Sequence, residues 1–447
     1  MKKLLSVALA LIMVLGVCVC ASAGIDAPLK FSEDGKFRIV NICDIQDSYP
    51  MQNTTKVYLN EMLKTLKPDV VILGGDNTVA GMPDEQNYTV IDGKKVSYDS
   101  LTDEQYAKVE DEYFAKVLKV KEASIKELCD IFVENQTYFT LVFGNHDHQQ
   151  FGRFNERNRE KNKEILLGLY QKFGGKYCLA YDADRSLYGV GTHNLPVFSA
   201  DNQKVLFNLY MMDSNTYYFN EDGVEMGYDA VHPDQLRWYE GIADGYKKLN
   251  GGKVVPAFMF QHIVVQEVYE KLFIETPFDV GAIGEDFEDV DGTVHHYIYL
   301  PKVGSLEKGY LFEKPCPGYK NYGQLDSVVK TGDVKAIFSG HDHTDSYTVK
   351  IDGIDITNTA GCTYHSYGSD LNRGVRVIDL DAKDLSTYKT YNYTVCEAAM
   401  AENSEITTCD NSQLSKFAAG FNSIFGIKFM DAFIEVLKVV FFWSKWL

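Results

Sequence analysis

The chain has 447 residues, of which 45% are hydrophobic and 13% aromatic, and its 44 basic and 63 acidic side chains give a formal charge of −19. This composition excludes a disordered or fibrous protein and provides enough apolar side chains for a substantial core. No nucleic-acid partner is expected, because the net negative charge would repel a phosphate backbone. Small anionic substrates remain compatible with this charge where bound metal ions locally reverse its sign.

Residues 1–23 have the pattern of an export signal. Two lysines precede an apolar run that begins at Leu4, and the run leads to the small-residue cleavage site Ala21-Ser22-Ala23. We therefore expect an exported protein, whether secreted, periplasmic or at the cell surface, whose mature chain begins at Gly24. The apolar run also fits an uncleaved N-terminal anchor, and that alternative stays open.

Residues 24–400 alternate between strand-like and helix-like segments. Five apolar runs are predicted to be strands that each end at a polar cluster: Phe37 to Cys43, Val70 to Leu73, Tyr138 to Phe143, Val254 to Phe260 and Val334 to Phe338. Helices are predicted over Asn53 to Leu66, about Asp103 to Glu134, Asn155 to Phe173 and Asp234 to Leu249. Sites in open α/β sheets gather at the carboxyl ends of strands, so the five clusters are expected to converge.

Two further segments stand apart from this alternation. Pro277 to Tyr319 is rich in Gly, Asp and Pro, and we expect an irregular excursion, either over the active face or as a plain surface insertion. In the tail, residues 401–447, the stretch from Ile424 to Trp446 predicts an amphipathic helix. This helix fits contact with a membrane surface as well as docking on the domain or on a protein partner. Cys396 and Cys409 are candidates for one disulfide bridge.

The polar clusters contain the side chains that bind divalent cations. They are Asp44-Ile45-Gln46, Gly74-Gly75-Asp76-Asn77, Gly144-Asn145-His146-Asp147, Gln261-His262 and Gly340-His341-Asp342-His343. Two metal ions held roughly 3.5 to 4 Å apart lower the pKa of a water towards about 7 and neutralise the oxygens of a phosphate ester. Such a pair needs a carboxylate that bridges both ions. Asp76 is our candidate, because the glycines before it let the backbone turn close to the ions.

These clusters, in this order, resemble the calcineurin-like metallophosphoesterase superfamily, and in particular its branch related to the purple acid phosphatases. The similarity extends from about Phe37 to Leu380 and includes the segments Leu209 to Ser214, Asp234 to Trp238, Gly332 to Phe338, Tyr367-Gly368 and Arg373 to Val377. The resemblance implies an α/β fold, a layered β-sandwich of two mixed sheets flanked by helices. It also implies an enzyme that hydrolyses a small phosphate mono- or diester by attack of a metal-bridging hydroxide.

The resemblance further implies a role for individual residues. Metal one would be held by Asp44, Gln46, Asp76 and His343, and metal two by Asp76, Asn145, His262 and His341. His146 would protonate the leaving oxygen or stabilise charge without being a ligand, and Asp147 would orient its neighbours. The implied cofactors are two divalent metal ions, with Mn, Fe, Zn and Mg all open.

One residue departs from the family pattern. Gln46 stands where the superfamily usually has a histidine, and an amide oxygen binds more weakly, which favours Mn²⁺, Mg²⁺ or Fe over Zn²⁺ at metal one. Purple acid phosphatases instead have a tyrosine three residues after the bridging aspartate, where this chain has Val79. Asp47 is either a substitute ligand or a turn residue. The alternative function is an exported binding or surface protein on the same scaffold, with a metal site degenerate at Gln46.

Overall fold

The computed structural model describes residues 28–152, 158–279, 281–302 and 304–399. The α-helices in these residues are α1 Asn53–Leu66, α2 Asp103–Ala107, α3 Glu110–Glu134, α4 Arg159–Gly174, α5 Pro233–Leu249, α6 Val268–Leu272, α7 Gln324–Thr331 and α8 Val395–Ala399. The strands are β1 Lys36–Ile42, β2 Val70–Gly74, β3 Tyr88–Ile91, β4 Lys94–Ser97, β5 Phe139–Val142, β6 His193–Phe198, β7 Val205–Met211, β8 Tyr217–Phe219, β9 Glu225–Tyr228, β10 Ala257–Phe260, β11 Phe273–Thr276, β12 Gly284–Glu288, β13 Val294–Pro301, β14 Val334–Ser339, β15 Thr348–Ile351, β16 Ile354–Asn358, β17 Gly374–Asp381 and β18 Lys389–Thr394.

Two mixed sheets pack face to face. The first has the strand order β18-β17-β1-β2-β5, in which β1, β2 and β5 are parallel and β17 and β18 are antiparallel to their neighbours. The second has the order β15-β16-β14-β10-β7-β6, with parallel strands in its middle and antiparallel strands at both edges. Side chains such as Ile39 and Ile72 of the first sheet and Phe258 and Phe338 of the second share one buried cluster. The predicted sandwich of two mixed sheets is therefore confirmed.

Helices cover the outer face of each sheet. On the first sheet, α1, α3 and α4 bury apolar side chains that include Leu59, Leu128 and Tyr170. On the second sheet, α5, α6 and α7 do the same with side chains such as Tyr239 and Val328. The protein thus has three apolar layers, one between the sheets and one between each sheet and its helices. Burying each large apolar side chain contributes about 1.5 to 3 kcal/mol, so these layers fix the position of one sheet against the other.

Most of the predicted boundaries lie within one residue of the observed ones, and three differ by more. The helix predicted from Asn155 begins at Arg159, with Asn158 as its N-cap. The helix expected from Asp103 to Glu134 is divided into α2 and α3. A capping box formed by Thr102 and Gln105 starts α2, and Val109, with φ −122° and ψ 9°, interrupts the helix before α3 begins. β10 begins three residues later than predicted, because Pro256 has no N–H to donate to the sheet.

The expectation of an irregular excursion from Pro277 to Tyr319 is wrong for much of that segment. β12 and β13 form a hairpin and join β11 in a three-stranded antiparallel sheet. His295 and His296 interrupt the alternation of apolar and polar residues in β13, so the sequence pattern of this strand is weak. Both histidines pair with acidic side chains on the neighbouring strands, Glu275 and Asp286. Residues 310–319 then return to the edge of the sandwich where the polar clusters lie.

Several predictions concern parts of the chain outside the described residues. The export signal of residues 1–23, the tail of residues 401–447 and Cys409 all lie there, so the domain limits of 24–400 stay a prediction. Cys396 is disulfide-bonded. Within the described ranges, none of the helices combines the length and the apolar character needed to cross a membrane.

Candidate metal centre

The two sheets deliver their polar clusters to the same edge of the sandwich. Asp44, Asp76 and Asn145 follow β1, β2 and β5 of the first sheet. His262 follows β10 of the second sheet, and His341 follows β14. Since the five strands are parallel within their sheets, their carboxyl ends lie together, and clusters separated by almost 300 residues meet there.

Three side chains form the centre of the site. Asp44, Asp76 and His262 are fully buried, and each places a ligand atom within 4.8 Å of the other two. His262 Nε2 lies 3.4 Å from Asp76 Oδ2 and 3.9 Å from Asp44 Oδ1. Carboxylate and imidazole atoms at these separations form a group able to hold a divalent cation.

The remaining predicted ligands surround this centre. Asn145 Oδ1 lies 3.2 Å from His262 Nε2, and His343 Nε2 lies 3.4 Å from Asp44 Oδ1. The His341 ring is 5.1 Å from the His262 ring, centroid to centroid. The structure therefore places these three side chains at the same site, as the clusters in the sequence predict.

Gln46 also reaches the centre, but with its nitrogen. Its Nε2 donates a hydrogen bond of 2.7 Å to Asp76 Oδ2. A metal ion would need the amide oxygen, which a rotation of the amide by 180° would exchange with the nitrogen. Gln46 thus has two available roles, as a ligand or as a hydrogen-bond donor to the predicted bridging carboxylate.

The backbone of the site is strained. Four predicted ligands adopt positive φ angles, with values of 53° for Asp44, 41° for Gln46, 52° for Asp76 and 74° for His341. Each such non-glycine residue costs on the order of 1 to 3 kcal/mol and persists only where the surroundings require it. Strain concentrated on these four residues indicates that the fold holds their side chains in place for a purpose beyond packing.

A glycine allows two of the loops to approach each other. A Cβ on Gly144 would lie 2.1 Å from Asp76 Oδ1 and 2.5 Å from the Asp76 backbone nitrogen. Any side chain at position 144 would therefore push apart the loops that carry Asp76 and Asn145.

The electrostatics of the centre suit a cation. Asp44 Oδ1 is buried and accepts no hydrogen bond from the described residues. Although burial alone would lower the pKa of His262, the carboxylates of Asp76 and Asp44 raise it to about 10. Burial and the neighbouring His262 hold the pKa of His341 well below its usual range. A buried carboxylate oxygen without a hydrogen-bond donor is costly, and a divalent ion between it and the neighbouring imidazoles would satisfy it.

His146 lies beside this cluster. Its backbone N–H donates to Asp76 Oδ1 over 2.8 Å, and its Nε2 is 4.0 Å from Asp76 Oδ2. Its side chain is 40% exposed, in contrast to the buried ligand candidates. Nδ1 is 2.7 Å from Gln149 Oε1, and because an amide oxygen only accepts, Nδ1 carries a proton. Nε2 is then the ring nitrogen on the side of Asp76.

Asp147 is buried and connects two loops. Its carboxylate accepts hydrogen bonds from the backbone N–H groups of Gly144, Asp76, Asn77 and Thr78, at 2.8 to 3.3 Å. Burial and the Asp76 carboxylate raise the pKa of Asp147 to about 6, against the lowering effect of these N–H groups. Asp147 is thus a positioning residue for the loops that carry Asp76 and Asn145.

Sequence reasoning missed several aromatic residues at the site. The hydroxyl of Tyr217 accepts hydrogen bonds from Asn145 Nδ2 at 3.3 Å and from Gln149 Nε2 at 3.2 Å. Tyr228 packs edge-on against His341, and Tyr367 stacks on His343 with ring centroids 4.3 Å apart. Tyr217 and Tyr228 have no motif in the sequence, and only their contacts in the fold reveal them, whereas Tyr367 belongs to the Tyr367-Gly368 pair that carries part of the family resemblance.

Other polar candidates have local structural roles. Asp47 accepts hydrogen bonds from the backbone N–H groups of Ser48 and Gln52, as expected of a turn residue. His193 is buried between Thr140 and the Gly191 carbonyl, and His232 pairs with Asp229.

Comparison with known proteins identifies relatives of the whole chain. No protein-family model matches the chain. Two proteins of Arabidopsis thaliana, "Probable inactive purple acid phosphatase 14" and "Probable inactive purple acid phosphatase 29", are 23% and 22% identical to it over 381 and 385 residues. The alignments cover 78% and 79% of this chain and 77% and 80% of those proteins. The relatives of this chain are purple acid phosphatase-like.

The resemblance drawn from the motifs is confirmed by these purple acid phosphatase-like relatives. Among solved structures, a dimetal phosphatase from Danio rerio is 10% identical, with a TM-score of 0.36 over 80% of this chain and 99% of that chain. Independently of these comparisons, Asp44, Asp76 and His262 form a group in this fold that could hold a metal ion.

Proposed function

We propose that this chain is an exported, metal-dependent phosphoesterase that hydrolyses a small phosphate mono- or diester. The observation that carries the proposal is the position of His146, which is partly exposed and places Nε2 4.0 Å from Asp76 without belonging to the ligand cluster. A site that only binds metal has no chemical need for such a group. A site that cleaves an ester needs a proton donor at that place.

The proposed ligands follow the sequence assignment. Asp44, Gln46, Asp76 and His343 would hold one divalent ion, and Asp76, Asn145, His262 and His341 the other. When bound, two such ions supply a water of lowered pKa and neutralise the charge on the phosphate oxygens. The buried Asp44 Oδ1, which accepts no hydrogen bond from the described residues, and the strained backbone of four of these residues support this assignment.

The chain itself would supply the proton for the leaving group. Gln149 accepts from Nδ1 of His146 and so holds the ring in one orientation, with Nε2 4.0 Å from Asp76 Oδ2. In the imidazolium form, Nε2–H would donate to the ester oxygen as its bond to phosphorus breaks.

The test compares wild-type protein with His146→Ala, using p-nitrophenyl phosphate and bis-p-nitrophenyl phosphate with added Mn²⁺. We expect kcat to fall about 10²- to 10⁴-fold in the variant while its metal content stays unchanged. The loss should be larger for an alkyl phosphate, whose leaving oxygen depends more on protonation. His295→Ala is the matched control, because His295 is a partly exposed histidine of the three-stranded sheet paired with Glu275.

A second candidate is a binding or surface protein on the same scaffold. Gln46 donates to the predicted bridging carboxylate instead of presenting oxygen, which supports a degenerate first metal site. The two plant relatives carry "probable inactive" in their names, which also supports this candidate. Absence of turnover of every ester under every metal, with His146→Ala indistinguishable from wild type, would favour the binding function.

Export and the contacts of the tail belong to the same proposal. Export is supported by the signal pattern of residues 1–23, and N-terminal sequencing of the mature protein should give Gly24 as the first residue. A membrane-surface contact is supported by the amphipathic pattern of the tail. Deleting Lys416 to Leu447 should reduce partition onto liposomes, and unchanged partition would leave docking on the domain or on a protein partner.

A further inference from the structure

A second group of potential ligands adjoins the proposed dinuclear site. Cys316, His341 and Asp342 each place a sulfur, nitrogen or carboxylate oxygen within 4.8 Å of the other two. Cys316 comes from the segment of residues 310–319 that returns to the site, whereas His341 and Asp342 follow β14. None of the sequence motifs includes Cys316.

The structure holds this thiol in place. The backbone N–H of Cys316 donates to Asp342 Oδ1 over 3.0 Å, which fixes the returning segment against the loop after β14. The other oxygen, Asp342 Oδ2, is buried and has no hydrogen-bond partner among the described residues, and Asp342 as a whole is only 2% exposed. A buried carboxylate oxygen without a donor is expensive unless a cation satisfies it.

The surroundings add negative charge. Asp345 is also buried, and its Oδ2 likewise accepts no hydrogen bond within the described part of the chain. Glu313 lies in the same region, with its carboxylate bonded to the Thr344 N–H and the Tyr367 hydroxyl. No Lys or Arg among the described residues forms an ion pair with Asp342, Asp345 or Glu313. Three clustered carboxylates without a basic partner favour a bound cation.

An ion has a route to this group. A cavity of about 100 Å³ has Cys316 in its wall, together with Tyr228, Glu285, Phe287 and Lys314. The cavity lies between the three-stranded sheet and the hairpin of β8 and β9, since residues 285–287 and 226–228 line it.

We propose that Cys316, His341 and Asp342 form a separate site for a transition metal that accepts thiolate, such as Zn²⁺. The site shares His341 with the dinuclear centre, and imidazole has two ring nitrogens, one for each side. A tetrahedral zinc shell of sulfur, nitrogen and oxygen places its ligand atoms about 3.3 to 3.7 Å apart, so the observed group needs only a small contraction. Binding releases the thiol proton to solvent, and, when both sites are filled, also the ring N–H proton of His341, which then bridges as imidazolate; a water completes the shell. The site does not depend on hydrolysis at the neighbouring centre.

The test is a Co²⁺ titration of the purified full-length protein, followed by absorption in the near ultraviolet, where thiolate bound to Co²⁺ gives a charge-transfer band. We expect the band in wild-type protein and its loss in Cys316→Ser, with about one equivalent less metal bound. Cys178→Ser is the matched control, since Cys178 is another half-buried thiol outside the cluster, and it should keep the band. Absence of the band in wild type, or its retention in Cys316→Ser, would overturn the proposal.

A second measurement covers the case in which Cys316→Ser does not fold. Wild-type protein is treated with a thiol-alkylating reagent with and without Zn²⁺, and the labelled cysteines are identified by mass spectrometry. Zn²⁺ should protect Cys316 and leave the labelling of Cys178 unchanged. Equal labelling of Cys316 in both conditions would contradict the site, whatever the enzyme does with phosphate esters.

Discussion

His146 donates a hydrogen bond of 2.7 Å from Nδ1 to Oε1 of Gln149. The amide nitrogen of Gln149 in turn donates to the hydroxyl of Tyr217, which also accepts from Asn145. A single hydroxyl therefore positions the proposed proton donor and one of the proposed metal ligands. A variant without that hydroxyl would lose the positioning of His146 and Asn145 while both side chains remain present.

Tyr217→Phe should lower kcat by about 5- to 50-fold, which corresponds to roughly 1 to 2 kcal/mol, with little change in KM. The loss arises because Gln149 no longer holds the His146 ring in one orientation. The pH dependence of kcat should also change on its alkaline side, where the proposed proton donor His146 loses its proton. Tyr218→Phe is the control, because the Tyr218 ring stacks on Tyr319 beside the site. A higher KM with unchanged kcat would show instead that Tyr217 binds substrate.

Gln46→His should raise the affinity for Zn²⁺ at one of two sites by about tenfold or more, or roughly 1.4 kcal/mol, because imidazole binds this ion more strongly than an amide oxygen. Calorimetric titration of metal-free protein would resolve the two sites. Gln171→His places a histidine on α4, where Gln171 bonds only to the Ala180 carbonyl, and should bind like wild type. Identical affinities and stoichiometry in Gln46→His and wild type would remove Gln46 from the ligand set.

Asp147→Ala should reduce the free energy of unfolding by about 3 to 5 kcal/mol, because it leaves four backbone N–H groups without their acceptor. Urea denaturation measures the effect. Asp130→Ala, which removes a carboxylate paired with Lys126 on the exposed face of α3, should change stability by less than about 1 kcal/mol. Similar losses in the two variants would mean that Asp147 does not organise the loops.

His193 should make the protein less stable in acid. Burial lowers the pKa of His193 to about 4, whereas an unfolded histidine titrates near pH 6.5. The unfolded chain therefore binds a proton first as the pH falls, so stability is complete above about pH 6.5 and is lost towards pH 4. Between pH 7 and 4.5, wild type should lose about 2 to 3 kcal/mol more than His193→Gln. Denaturation curves at the two pH values test this, and parallel losses would contradict it.

The sequence predicted those parts of the site in which residue type and position carry the chemistry. Asp76 and His262 follow uninterrupted apolar strands, and their side chains are recognisable metal ligands wherever they occur. Tyr217 and Cys316 were not predicted, because they act through contacts between segments that are distant in sequence. The sheet of β11, β12 and β13 was missed for a related reason. Its cross-strand pairs of charged side chains, such as His296 with Asp286, replace the apolar residues whose alternation with polar ones indicates a strand.

The proposed ligands are divided between the two sheets of the sandwich, with Asp44, Gln46, Asp76 and Asn145 on one and His262, His341 and His343 on the other. An ion bound at this edge would act as a cross-link between the two halves of the molecule. Because an ion that binds only the folded protein adds its binding free energy to the stability of the fold, loss of metal would lower stability as well as activity. Metal-depleted protein would then be cut by proteases faster than metal-loaded protein.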